Sequence, residues 1–311
     1  MGLLKKKDKK SSGKSLHKES KMKVEKKKAR KVKKNPEPQY YTSATNMRTL
    51  NYKVYYMQPL EKIGYFLLAF IVGAAVGYLF YGGLARDEFG QATTTTYILD
   101  VVISVVFGLI AGKAFLPIRV EQIINKRRRQ LSQQFRDMLD GLTTSLGAGN
   151  NIIDSFYSVK EDMKLQYEEG SFILQELDVI IAGIQNSVSV EEMLEDFGNR
   201  SGIPDIKSFG EVFNVSYRKG GNIQEVIRNT HAILNDKMEI REDIETVVTS
   251  NKMEQNLMLV MPVILIAMIK GMSSDFAANF ATATGVLSTT VAIGMFAAAY
   301  YIGKRILNIK I

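Results

Sequence analysis

The chain has 311 residues with Lys+Arg 41 against Asp+Glu 32, but the basic excess is local. Residues 1–34 hold fifteen Lys and Arg30 against Asp8, Glu19 and Glu25, a tail of net +13 on a body of net −4, which excludes a basic nucleic-acid-binding domain. Zero Cys, with His17 and His231 as the two histidines, excludes disulfide scaffolds, thiolate metal sites and histidine clusters, and implies no cofactor.

In chain order, residues 1–38 are Lys-rich and poor in apolar residues, so they are expected to form a disordered tail that attracts anionic lipid, with no specific nucleic-acid recognition. Residues 39–62 form a juxtamembrane segment in which the Tyr-rich stretch Tyr52 to Met57 reads as an interfacial anchor. Ile63 to Leu84 is uncharged over 22 residues, about 33 Å as a helix, enough to span a bilayer core. Tyr97 to Leu116 is a second span; its Asp100 and Lys113 lie near opposite ends, where a charged side chain reaches headgroups. Residues 63–117 are thus a transmembrane hairpin. In it Gly73 and Gly77, and Gly108 and Gly112, repeat the small-xxx-small spacing that lets helix backbones approach, against the plainer reading of incidental glycines. Gly108 to Lys113 lacks a spacer residue and the following Ser/Thr of a phosphate loop, so nucleotide binding is not expected there.

Residues 118–255 are polar, and their apolar residues recur at helical spacing: Leu131, Phe135, Met138, Leu142 and Leu146 form one stripe, and Ile223, Val226, Ile227, Thr230, Ile233 and Leu234 another. A threefold echo punctuates them. Asn151 with Asp154, Ser189 with Glu192, and Asn222 with Glu225 each place a capping side chain three residues before an acid, as at a helix start. Gly147 to Asn150, Asn186-Ser187 and Lys219 to Gly221 precede them and suit the left-handed turn that ends a helix. The pattern predicts three antiparallel helical hairpins, 120–147 with 151–168, 171–185 with 189–200, and 205–218 with 222–250, a six-helix bundle. Asn256 to Gly271 and Thr284 to Ile302 form a second transmembrane hairpin, residues 256–302, followed by the C-terminal residues 303–311.

The fold class is therefore all-α: a polytopic membrane protein with two transmembrane hairpins flanking a six-helix cytoplasmic bundle. Cations cluster at the tail, at Arg119 and Lys126-Arg127-Arg128-Arg129, and at Lys304, Arg305 and Lys310, whereas the short loops are poor in them, which places both termini and the bundle on the cytoplasmic side. More than sixty residues precede the first span, so it is not read as a cleavable signal peptide.

Phe135-Arg-Asp-Met-Leu, Leu146-x-x-Gly149-x-x-Ile152-x-x-Ser155-Phe156, Val190-Glu-Glu-Met-Leu and Gly220-Gly-Asn-Ile-Gln-Glu-Val-Ile follow one another in this order. Ala232-Ile-Leu-x₃-Met-x-Ile-Arg, Pro262 inside the third span and Gly294-x₉-Lys304-x₃-Asn308-Ile-Lys complete the series. Over Tyr52 to Ile311 the chain resembles the F-domain platform proteins of type II secretion and type IV pilus machines. With one copy of the domain, it is most similar to the Tad (type IVc) branch. The second hairpin turn lacks the glycine of the other two, and the Lys tail lies outside the family pattern. The resemblance implies a non-enzymatic platform in the bacterial inner membrane, coupling a hexameric cytoplasmic ATPase to the movement of pilin or pseudopilin subunits, with a sister platform protein and homo- or hetero-oligomers. Contact candidates are Lys126, Arg127, Arg128, Arg129, Gly149, Asn150, Gly220, Gly221, Asn222 and Glu225, set against turn geometry for the glycines, capping for Glu225 and lipid attraction for the cations. A competing reading is a four-span transporter or channel with a regulatory helical domain, motivated by Asp100, Lys113 and Lys270, which sit at span edges rather than mid-bilayer.

Overall fold

Proline begins the first long helix without cost, because its missing N–H is one that a helix start leaves unpaired anyway. α1 runs Pro59–Tyr81 and α2 Thr94–Gly147, the latter opened by a reciprocal cap between Thr93 and Thr96. The computed structural model describes residues 37–43, 46–85, 91–272 and 278–307. The expectations for the Lys tail over residues 1–36 and for Lys310 lie outside the described residues, as do residues 86–90 and 273–277 of the two short loops said to be poor in cations.

α1 and α2 pack through their glycines. A Cβ on Gly73 would lie 2.5 Å from Ala111 Cβ and 2.9 Å from the Phe107 carbonyl oxygen, and one on Gly77 2.8 Å from Phe107 Cβ. From the other side, Gly108 and Gly112 receive the rings of Phe70 and Phe66, where a Cβ would come within 2.7 Å and 2.5 Å. Each aromatic ring fills a slot that an absent side chain opens, which is how close packing replaces a hydrophobic drive between helices in lipid. Gly73→Leu should force the backbones apart and destabilise the solubilised protein by about 1–3 kcal/mol, measured as earlier unfolding in detergent.

α2 does not stop at the membrane. It continues through Pro117, which removes one backbone hydrogen bond but is tolerated where neighbouring groups compensate, and reaches Gly147 after 54 residues. α3 Ile152–Gln166, α4 Phe172–Gln185, α5 Val190–Ser201 and α6 Pro204–Arg218 follow, and α7 Ile223–Met272 returns through 50 residues and past Pro262. α8 Ala283–Leu307 closes the second hairpin. The predicted bundle boundaries agree within about two residues, except that the first and last bundle helices are continuous with membrane helices. Among the described residues, four helices are long and apolar enough to cross a membrane, and the protein is an all-α polytopic membrane protein.

Leu131, Phe135, Met138 and Leu142 of α2 are fully buried among Phe156, Leu177, Phe197, Phe209 and Phe213. Phe135 meets Phe197 and Phe209 edge-on at 6.0 and 5.5 Å, the favoured aromatic geometry. Ile227 and Leu234 close the core from α7, whereas Ile233 of the same predicted stripe faces outward.

The juxtamembrane stretch departs from expectation. β1 Tyr40–Thr42 and β2 Arg48–Leu50 pair as a small antiparallel hairpin, with Tyr40 opposite Leu50. Tyr52, expected at the lipid interface, is instead 1% exposed and joins the bundle core against Phe172. The reason is a polar partner inside the bundle that its hydroxyl reaches, whereas Tyr56 remains exposed. Glu37 and Pro38, assigned to the tail, are held by Asn51, whose side-chain amide donates to both.

Candidate partner interface

Three helical hairpins folded in sequence must bring their turns to one end. Arg218 at the end of α6 lies 3.9 Å from Glu191 at the start of α5, and a Cβ on Gly147 would lie 3.8 Å from Gln224 Nε2 on α7. The turns 147–151, 186–189 and 219–222 therefore share the membrane-distal face, and Gly149, Asn150, Gly220, Gly221, Asn222 and Glu225 are all exposed on it.

Each turn is built from its local chemistry. Gly149 and Gly220 adopt φ of +92° and +70°, the left-handed region that a Cβ disfavours. Ser187 takes the same role at +59° without a glycine, so the missing glycine does not change the turn. Asn151 accepts from Asp154 N at 2.9 Å and Asn222 from Glu225 N at 3.1 Å, both true caps. Ser189, expected to cap α5, makes no side-chain cap bond. Replacing Asn151 or Asn222 with Ala should each cost about 1 kcal/mol, and Ser189→Ala much less, as read by thermal unfolding of the full chain.

The cation run at the membrane-proximal end is not one patch. Lys126 is exposed, but the Arg127 guanidinium lies 4.3 Å from the Tyr55 ring centre, Arg128 Nε donates to the Tyr52 carbonyl at 3.4 Å, and Arg129 bonds Glu245 on α7 at 2.6 Å. Three of the four fasten the juxtamembrane segment and α7 to α2. His231 faces Asp140 across helices at 3.7 Å.

Sequence reasoning missed the centre of this end. Glu176 is 2% exposed and Arg200 4% exposed, joined by two bonds of 2.9 and 2.7 Å. The Tyr52 hydroxyl donates to Glu176 at 2.9 Å, Arg200 donates to the Leu50 carbonyl at 3.2 Å, and Tyr52 N donates to the Arg200 carbonyl at 3.1 Å. Burial raises the Tyr52 hydroxyl well above its ordinary range, with Glu176 adding to the shift. Burial pulls the Arg200 guanidinium down, and its bonds and charge contact with Glu176 more than reverse this, so its net shift is upward. The available signal was Glu176 itself, an acid placed three residues after Ile173 and one before Leu177, on the apolar face of α4.

In the membrane part, Asp100 accepts from Gly83 N at 2.8 Å, and Lys270 donates to the Leu79 carbonyl at 2.7 Å. Gly73, Gly77, Gly108 and Gly112 line the α1–α2 contact described above. Among the described residues, no three His, Asp or Glu side chains are grouped as a metal site. What the described residues place at the two ends of the bundle is turns, helix caps and cations fastened to neighbouring segments.

No curated protein and no solved structure matches the chain. Residues 138–270 match the family model described as Type II secretion system (T2SS), protein F, a span that covers the end of α2, all of α3 to α6 and nearly all of α7. Between those residues the chain carries a domain of the type II secretion system F family.

Proposed function

We propose that the protein is a non-catalytic platform subunit of a type II secretion-like or Tad-type pilus assembly machine, transmitting motion from a cytoplasmic assembly ATPase to pilin or pseudopilin subunits in the membrane. The observation that carries the reading is helix continuity. α2 and α7 run unbroken from the distal bundle face into the membrane hairpins, about 81 and 75 Å long at 1.5 Å per residue. A displacement imposed on the turns thus reaches lipid through two struts rather than through flexible linkers. The F-family match across the bundle supports the same assignment.

In this reading the bundle and both termini face the cytoplasm of a bacterial inner membrane, because the cations flank the spans on that side. The ATPase docks on the distal turns, a sister platform protein completes the assembly, and the Lys-rich tail holds anionic lipid. The transporter reading is less well supported: Asp100 and Lys270 bind backbone groups of the facing α1 end.

The test is capture of the assembly ATPase from membranes by the tagged full-length chain. Glu192 and Glu225 are exposed at helix starts, so Lys at both should cost under about 2 kcal/mol in helix-dipole energy and leave the fold intact. ATPase capture should drop about tenfold, equivalent to roughly 1.4 kcal/mol. Undiminished capture by a folded double variant removes the ATPase from this face.

A further inference from the structure

The described residues begin at Glu37, whose carboxylate accepts from the Asn51 amide at 3.2 Å and whose carbonyl accepts from the Tyr56 hydroxyl at 2.9 Å. The Lys-rich tail thus joins the bundle at a fixed point. Asn51 adjoins Tyr52, whose ring meets the Phe172 ring edge-on at 5.6 Å. Phe172 in turn lines a polar groove of about 460 Å³ between α2 and the turn 167–171, with exposed Gln130, Gln133, Glu168 and Glu169 along it. The turn is held in place: Gly170 takes φ of +95°, Gln175 Nε2 donates to the Gly170 carbonyl at 2.7 Å, and Ile173 N donates to Gln134 Oε1 at 3.1 Å. With Gln134 capping α4, Ser171 Oγ is enclosed at the groove without a hydrogen-bond partner among the described residues. Glu168 and Glu169 are the charged residues lining the groove. Lys164, whose charge Glu169 also feels, is bonded to Glu161 at 2.7 Å.

We propose that this groove is the docking site of the chain's own segment Arg30-Lys31-Val32-Lys33-Lys34, its cations on Glu168 and Glu169 and on the amide oxygens of Gln130 and Gln133. Four cations in five residues meet two carboxylates with no cation lining the groove. Each Lys ammonium has three donors, enough to take a carboxylate and an amide oxygen together. The reach fits, since the chain from Arg30 to Glu37 spans at most about 25 Å. Exposed ion pairs are individually weak, but a short tether holds the segment at an effective concentration in the millimolar range. The Lys residues before Ala29 stay available for anionic lipid, so the tail is divided between two roles. Nothing in this assignment depends on the ATPase reading.

The test is a spin-label distance measurement on the full-length protein in phosphatidylcholine vesicles. The chain has no Cys, so Ala29→Cys and Leu165→Cys place one label before the basic segment and one on the 90% exposed residue near the end of α3. Docking should give a narrow distance peak. Glu168→Gln with Glu169→Gln removes the two exposed charges and should lower the docked fraction about fivefold, the effect of two surface ion pairs. A second reading needs no change at the groove: 1 M salt, which shortens the screening length to about 3 Å, should broaden the same peak. A broad distribution in neutral vesicles, or a peak that survives both the acid-free variant and high salt, overturns the proposal. So does a peak that forms only when phosphatidylglycerol is added, which would make lipid the partner of this segment.

Discussion

Arg200→Met should destabilise the full-length protein by about 3–5 kcal/mol, one of the largest single effects expected in this chain. The guanidinium is enclosed and satisfies the Glu176 carboxylate, Asp196 at 2.6 Å and the Leu50 carbonyl together. Removing it leaves a carboxylate at 2% exposure with, among the described residues, the Tyr52 hydroxyl as its remaining hydrogen-bond partner. A buried charge without its partner costs far more than the pair was worth, because desolvation has been incurred and the compensation is gone. The double variant Glu176→Leu with Arg200→Met removes the stranded charge and should recover at least about 2 kcal/mol of the loss. Unfolding followed by helical circular dichroism in detergent measures both. Limited proteolysis adds a local reading: residues 37–57 should become cleavable in Arg200→Met before the bundle does. A single-variant cost under about 1 kcal/mol would show that the pair is solvated and holds nothing.

That cluster also shows where sequence reading stops. The ends of the bundle helices were legible because caps and left-handed turns are local chemistry: Asn151, Asn222, Gly149 and Gly220 act within a few residues of themselves. Tyr52 and Glu176 are 124 positions apart, and no periodicity reports a hydrogen bond across that distance. The tyrosines from 52 to 57 look alike in sequence, yet only Tyr52 meets a buried acceptor, so composition placed it at the interface while tertiary contact placed it in the core. Ser189 shows the opposite limit, a capping residue type at a capping position whose side chain makes no bond there.

Helix continuity was hidden for a different reason. Hydrophobic patterning divides α2 at Pro117 and the following cations because the environment changes from lipid to water there. Backbone hydrogen bonds close within the helix and are indifferent to that boundary. The same holds where α7 enters the apolar stretch after Gln255. Polarity therefore marks the membrane edge, not a joint.

The consequence is a second large effect. If the protein is the platform proposed above, replacing Glu121 and Gln122 on α2, together with Asn251 and Lys252 on α7, by glycine should sharply lower filament or substrate output while the protein still inserts and captures the proposed ATPase. All four residues are exposed and sit between the bundle core and the apolar spans, so no packing is removed. Glycine costs roughly 1 kcal/mol per exposed helical position relative to alanine, a tolerable total if the rest of the fold is intact, but it softens both struts at the same level. Alanine at the same four positions is the control, since it keeps the helices stiff and removes the same side chains. Output should fall about a hundredfold in the glycine variant, an uncoupling equivalent to roughly 2.8 kcal/mol, and stay near normal in the alanine variant. Equal losses in both would assign the effect to the side chains. Normal output from the glycine variant would mean that motion reaches the membrane by some route other than α2 and α7, and the platform mechanism proposed for this fold would fail with it.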